Sequence, residues 1–404
     1  MGTSFMFLDI SPLKKYKDYR YIFIGQFISI IGNMMTYVAV PYQVYELTHS
    51  SSMVGNISII QLFSVVIFAI FGGAYADRIN RKKIIISGEI IMILCSLGFV
   101  VNTAFPKPSL LIIFILVGVF QAASGFHRPA MTAIIQKIIP QQDIKSVSSL
   151  NSLIWSVGAI CGPAISGILI STLGLKFVYI VDLCSFIVSL SAIFLISNYP
   201  IESIVEKKHV LKDIKDGFLF AISKPEILGS YLIDIVAMMF AFPIALFPAM
   251  SQNWGGAHAA GMLYSGMAIG TLLVTLLSGW TNKVTRNGKA VVIAASLWAF
   301  FILWLGFSNH LFVAVLFLIL AGGADGISGI FRQAIWNASI PNSMRGRLSG
   351  LEMISYMSGP LIGNARAGYV ATLFSVHISL ISGGIMCFVG VILTGVCLPK
   401  FWKS

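Results

Sequence analysis

What most constrains this chain is the alternation of long, nearly uncharged apolar runs with short polar connections, repeated from residue 21 to residue 398. A run of about 20 apolar residues is enough to cross the hydrocarbon core of a bilayer. Only 10% of the residues are charged and 57% are hydrophobic, whereas a soluble domain carries roughly 25% charged residues. Such a chain cannot coat itself for water. In lipid the backbone polar groups must be satisfied within each segment, so runs of this length form helices. Spans are placed at 21–45, 54–76, 84–103, 110–136, 147–172, 175–198, 227–250, 259–281, 290–308, 311–338, 348–373 and 377–398. The expected fold is an all-α membrane protein with twelve transmembrane helices, and no stretch between them is long enough for a soluble domain.

The formal charge of +12 raises the question of a nucleic-acid partner, and its distribution answers it. Of the 27 Lys and Arg residues, 22 fall in alternate connections, while the opposite loops keep only Lys107 and Lys176. That asymmetry is the positive-inside signature with both termini cytoplasmic, so no nucleic-acid binding is expected. Lys14, Lys15, Lys17 and Arg20 precede the first span, which is longer than a signal-peptide core and has no small-residue cleavage site after it. The first helix is therefore expected to stay as an anchor. The five cysteines all lie in apolar runs without pairing or ligand spacing; they read as packing residues. The scattered histidines predict no metal site.

The longest polar break runs from Asn198 to Lys224. It divides the chain into a six-helix half (1–198), a cytoplasmic linker (199–224) and a second six-helix half (225–404). In the linker, Val210, Leu211, Ile214, Phe218 and Leu219 oppose Lys212, Lys215 and Asp216 at helical spacing, the pattern of an amphipathic surface helix. The halves share ordered similarities: Ile139-Pro140 with Ile340-Pro341, and Gly162-Pro163 with Gly359-Pro360. A duplicated six-span unit builds a transporter with a site between its repeats.

The connection after the second span reads GGAYADRINRKK. Gly73 permits close helix approach, Asp77 and Arg78 set opposite charges at the boundary, and Arg81 and Lys82 hold the loop inside. This run resembles the G-x-x-x-D-R/K-x-G-R/K-R/K signature of the major facilitator superfamily, with Asn80 in place of the second Gly. Asn is the residue after Gly most tolerant of a left-handed turn. The resemblance implies the major facilitator fold and a cytoplasmic gate at these residues. In the fifth span Gly158, Gly162 and Pro163 sit in a run similar to the Gly-Pro motif of that family's proton-coupled exporters, with Ser166 replacing one Gly; a plain packing kink is the alternative. The runs QFISIIGNMMTYVAVPYQVYELTHSSSMVG and LFPAMSQNWGGAHAAGMLYSGMAIG resemble the enterobactin exporter-like and macrolide efflux-like branch. That resemblance implies export of a siderophore-like or drug-like molecule across the bacterial inner membrane, driven by the proton gradient without another cofactor.

Charges at membrane depth are costly and mark cavities or pairs. Arg128 lies nine residues before Lys137, about 14 Å along a helix, and Arg332 lies at matching depth before Pro341. Asp325 is two turns from Arg332, and Asp234 is seven residues into the seventh span. By the family resemblance, spans 1, 4, 7 and 10 line the central cavity, where span 1 offers Gln26, Asn33 and Tyr37. Arg128 and Arg332 are the expected contacts for an anionic or catechol-bearing substrate, because guanidinium donates in a fixed fork; Asp234 or Asp325 is the expected proton carrier. The alternative is that Asp325 and Arg332 pair and hold the fold. Glu89 and Glu352 lie close enough to the cytoplasmic edge to join the gate around Asp77. His127, beside Arg128, could shuttle protons but reads first as a packing or hydrogen-bonded residue, and Asp182 and Arg366 read as pairing or capping groups. Trp155, Tyr264, Trp298 and Trp336 could stack on an aromatic ligand. Neither a Walker A string nor a nucleophile–base motif occurs, so an enzyme is not expected. The reading is a monomeric secondary carrier, with inward siderophore uptake and broad multidrug or macrolide efflux as alternatives.

Overall fold

The computed structural model describes residues 9–76, 80–197 and 219–404, with side chains omitted at 66–76, 282 and 342–355. Its long segments are helical: span 1 (Lys17–Thr48), span 2 (Ser51–Ala76), span 3 (Arg81–Ala104), span 4 (Leu110–Ile138), span 5 (Ile144–Leu173) and span 6 (Leu175–Leu195). The second set is span 7 (Pro225–Ala241, continued by Phe247–Gln252), span 8 (Ala257–Leu276), span 9 (Asn287–Leu305), span 10 (Leu311–Ser339), span 11 (Asn342–Leu373) and span 12 (Val376–Cys397). Ten helices, counted among the described residues, are long and apolar enough to cross a membrane. Spans 2 and 11 complete the twelve; span 11 is diluted by Arg345, Arg347, Glu352 and Arg366.

The ends of these helices follow from local chemistry. Asn80 has φ −56°, and its side chain accepts from the Lys82 N–H at 2.9 Å. It therefore caps span 3 instead of forming the left-handed turn expected there. Gly174, at φ 88°, closes span 5 and opens span 6. Span 7 is not continuous: Pro243 cannot donate to the helix ladder, and a 3₁₀ turn at Ile244–Leu246 follows it. The Ala245 N–H freed by this break donates to Asn364 Oδ1 of span 11 at 3.0 Å, in a buried position. Irregular backbone is tolerated at membrane depth only with such a partner.

The chain forms two compact units, Met1–Val40 with Ser64–Glu206 and Pro41–Phe63 with Lys207–Ser404. In the first, span 3 packs on spans 4 and 6, and span 5 on span 6. Span 1 lies against span 5 through Gly158 and Gly162; a Cβ on Gly158 would sit 2.5 Å from Ile30, and one on Gly162 would collide with Met34. Ser166 Oγ donates to the Met35 carbonyl at 3.0 Å. In the second unit span 9 packs on spans 10 and 12, and span 7 on span 11, where Gly359 and Gly363 press on Met238. The Gly-Pro pairs of spans 5 and 11 thus meet methionines of spans 1 and 7 alike. The internal repeat reappears as a repeat of neighbours.

Small residues carry this packing, because lipid offers no hydrophobic drive between helices. Gly270 and Gly322 bring spans 8 and 10 backbone to backbone, with Thr271 Oγ1 donating to the Gly322 carbonyl at 2.9 Å. The hairpin Pro41–Phe63 is built into the second unit, which a division at the linker alone does not anticipate. Gly368 of span 11 abuts Ser51 and Gly55, Ser52 N–H donates to Thr372 Oγ1 at 2.8 Å, and Tyr369 Oη to Asn56 Oδ1 at 2.8 Å.

Candidate functional site

Within the second unit, spans 7 and 10 bring three ionisable groups together. Arg332 pairs directly with Asp234 through Nη1 and Oδ1, and its Nη2 lies 3.6 Å from Asp325 Oδ1. Asp325 and Arg332 share a face of span 10 because they are seven residues apart, two turns of helix. Span 7 supplies Asp234 from the facing helix. The two carboxylates are not equivalent: the Asp234 side chain is 9% exposed, that of Asp325 37%. Arg332 Nε is buried without a hydrogen-bond partner. A guanidinium gripped on one edge, with a donor in reserve and an accessible carboxylate beside it, can exchange partners. A lysine could not hold two oxygens in this fixed fork.

Arg128 belongs to the first unit. It stacks on the Trp155 ring of span 5, 4.9 Å from its centroid, and both residues are exposed. Gln26, Asn33 and Tyr37 are seven and then four residues apart, so they form one stripe along span 1; the first two are half-buried and Tyr37 is exposed. Of the aromatic residues expected to stack on a ligand, Trp298 and Tyr264 are core residues, and Trp336 donates its indole N–H to Ser230 Oγ at 2.7 Å beside Tyr231. Trp155 alone of the four is exposed.

The sequence matches, over residues 9–403, the model of a family described as a transmembrane secretion effector. The chain belongs to the major facilitator superfamily, in its enterobactin-exporter-like branch. It is 27% identical over 406 residues to the enterobactin exporter EntS of Escherichia coli O6:K15:H31 (strain 536 / UPEC), covering 98% of this chain and 95% of that protein. EntS of Shigella boydii serotype 18 (strain CDC 3083-94 / BS512) matches with the same identity and coverage. Among solved structures, a bacterial homologue of the iron transporter ferroportin in its inward-facing state superposes with a TM-score of 0.74 at 12% identity, over 96% of this chain and 99% of that one. A bacterial homologue of the lysosomal transporter Spinster gives 0.74 at 16% identity, over 97% and 99%. These likenesses establish the fold; the family and the relatives are transporters. This major facilitator is a multi-pass membrane protein and a secondary transporter.

The facilitator's signature loop is described only in part. Asp77 and Arg78 lie outside the described residues, and Gly73 is known only as helical backbone. Arg81 opens span 3, and Lys82 Nζ donates to the Ile196 carbonyl at the end of span 6, 2.6 Å away. The side chain of Glu352 and the linker residues Val210, Leu211, Ile214 and Phe218 are likewise outside the described residues.

Two polar sites hold residues whose partners differ from those expected from the sequence. Glu89, placed at the gate by its distance from Lys83, is instead buried inside the first unit. Its Oε1 lies 3.1 Å from His127 Nε2 and accepts from Ser189 Oγ at 2.8 Å. Axial distance was counted correctly, but rotation about span 3 turns this side chain to spans 4 and 6. Asp182 is fully buried on span 6. One carboxylate oxygen accepts from Thr36 Oγ1 at 2.8 Å and Ser96 Oγ at 2.9 Å, while Oδ1 has no partner. Among the described residues no Lys, Arg or His forms an ion pair with it. A sequence signal existed: Glu89 and Ser96 are seven apart on span 3, as are Asp182 and Ser189 on span 6, so antiparallel packing gives two polar rungs. Arg366 is held by the Ser379 carbonyl at 3.3 Å, and among the described residues no carboxylate pairs with it.

Proposed function

We propose that this facilitator is a proton-driven exporter of a siderophore-like, catechol-bearing molecule across the bacterial inner membrane. It works by alternating access, as a monomer with both termini in the cytoplasm. The observation that carries the reading is Arg332 held between a buried and an accessible carboxylate, in a chain related over nearly its whole length to enterobactin exporters. Asp234 anchors the guanidinium, and Asp325 is the exchanging group. A catechol hydroxyl donates to the Asp325 carboxylate while its neighbouring oxygen accepts from Arg332. When a proton arrives from outside it bonds to that carboxylate, the charged acceptor becomes a neutral acid, and the charge-assisted O–H···O bond to the substrate weakens. Proton and substrate then occupy Asp325 alternately, which is the requirement of antiport. Arg128 over Trp155 is the candidate substrate contact within the first unit, with Gln26, Asn33 and Tyr37 as uncharged partners. Gly158, Gly162 and Pro163 set the close seat of span 5 on span 1 that export requires in this reading.

Reconstituted protein tests this with enterobactin as the probe. A pH gradient should drive enterobactin against its concentration gradient. Asp325→Asn should lose that response while still exchanging labelled for unlabelled enterobactin, because an amide oxygen accepts a hydrogen bond but takes up no proton near neutral pH. Full pH-driven transport by Asp325→Asn would sink the proposal. A broad drug-efflux role is the second reading, favoured by the exposed cation–aromatic surface of Arg128 and Trp155; a drug panel beside enterobactin separates the two. Accumulation in the opposite direction would point to uptake.

A further inference from the structure

Glu89 and His127 take no part in the cycle described above, yet their arrangement is not that of packing residues. Glu89 comes from span 3 and His127 from span 4, and Gly88 brings the helices together: a Cβ there would lie 3.2 Å from the His127 Cβ. The Glu89 side chain is 1% exposed and that of His127 11%. Glu89 Oε1 is fully engaged by His127 Nε2 and Ser189 Oγ, whereas Oε2 is buried with no partner. The surrounding ionisable groups are few. Span 4 brings His127 and, next to it, Arg128; span 6 brings Asp182, within electrostatic range of Glu89. Span 1 meets span 6 here at Gly25, which faces Ser189, and carries no charged residue from Ile22 to Thr36.

An imidazole and a carboxylate in contact hold one exchangeable proton. Loaded, they form an imidazolium–carboxylate pair of zero net charge, which can remain buried between helices. Unloaded, the imidazole is neutral and a single carboxylate charge is left, with one oxygen already lacking a donor. An uncompensated charge in that position costs several kcal/mol, so loss of the proton favours any arrangement that lets water in. We infer that Glu89 and His127 form a second proton-binding site, built wholly within the first six spans, whose loading and unloading accompany each transport cycle. The inference rests on the proton-driven reading but not on Asp325. It makes the carrier a two-proton machine, one proton handled by each half.

Stoichiometry tests it. With enterobactin as probe and the membrane potential clamped at zero, each coupled proton multiplies the steady-state accumulation ratio about tenfold per unit of pH gradient. The wild type should gain two such factors. Glu89→Gln and His127→Gln should gain one, while a residue with only a structural role changes the rate and leaves this ratio untouched. Ser189→Ala, which removes a single donor to Glu89, guards against misfolding of the charge variants and should lower the ratio in part. Wild-type ratios in monodisperse Glu89→Gln and His127→Gln would overturn the inference. A wild type indifferent to the pH gradient would instead defeat the proton-driven reading. In that case, or if enterobactin is not carried, ¹⁵N spectra of histidine-labelled protein in nanodiscs decide whether the site binds a proton. His127 signals, identified by their loss in His127→Gln, should report a ring protonation that changes when the Glu89 carboxylate is removed in Glu89→Gln; identical spectra would overturn the inference.

Discussion

Removing Arg332 alone should destabilise the protein far more than removing it together with Asp234. In Arg332→Gln, Asp234 keeps its charge in a site only 9% exposed and loses its direct partner. Breaking a buried pair from one side costs about 3–5 kcal/mol, and membrane-insertion scales place a lone carboxylate at a helix centre in a similar range, about 2.5–3.5 kcal/mol. Asp325 gives no relief, since it is a second carboxylate and loses the same guanidinium, 3.6 Å away. The double variant Asp234→Asn/Arg332→Gln removes both charges and leaves two amides able to bond each other. Replacing a buried pair by neutral groups is often neutral or stabilising, so it should recover most of the loss. Asp325→Asn should cost less than Arg332→Gln, because Asp325 lies 3.6 Å from the guanidinium and Asp234 makes the direct pair. Equilibrium unfolding in bilayer-like micelles measures these differences, and enterobactin transport is read in parallel. All of these variants except wild type should fail pH-driven export, including the stable double. If Arg332→Gln is as stable as wild type, or the double no better than the single, then the pair is not the buried interaction described here.

Other consequences can be checked in the same preparations. Gly162→Ala should cost about 1–3 kcal/mol by overpacking, because its methyl would meet Met34, whereas Gly279→Ala, with open space around its Cβ, should be neutral in the same unfolding assay. Asn364→Leu orphans the Ala245 N–H at the break in span 7, an expected loss of about 1–3 kcal/mol, seen as faster hydrogen exchange at Ala245. Arg128→Ala should insert normally and abolish export. Trp155→Leu, removing a cation–π contact of about 0.5–1 kcal/mol, should weaken apparent affinity roughly two- to fivefold. Asp77→Asn should retain enterobactin binding in a direct binding assay and lose transport; unchanged transport rates would remove Asp77 from the gate.

Much of this facilitator was legible in one dimension. Hydropathy located twelve spans within a few residues of their observed ends, because the energy of placing a segment in lipid is a sum over that segment alone. The Gly-Pro pairs of spans 5 and 11 announced the repeat, since a glycine's value for close packing depends on its own missing Cβ. Spacing along a helix could also be counted, which is why Asp325 and Arg332, seven residues apart, were placed on one face of span 10.

What each charge touches could not be counted. Glu89 looked like a gate residue at its depth, yet span 3 is rotated so that it meets His127 and Ser189. Asp182 looked like half of an ion pair and found only the hydroxyls of Thr36 and Ser96. The hairpin Pro41–Phe63 joined the second unit because Gly55 and Gly368 let spans 2 and 11 approach, a match between segments more than 300 residues apart. Sequence alone determined the number and extent of the spans, for those depend on each segment's exchange between water and lipid. Tertiary structure decided the partners, because a side chain's neighbour is set by the rotation of two helices at once, and that rotation is fixed by the packing of all the others.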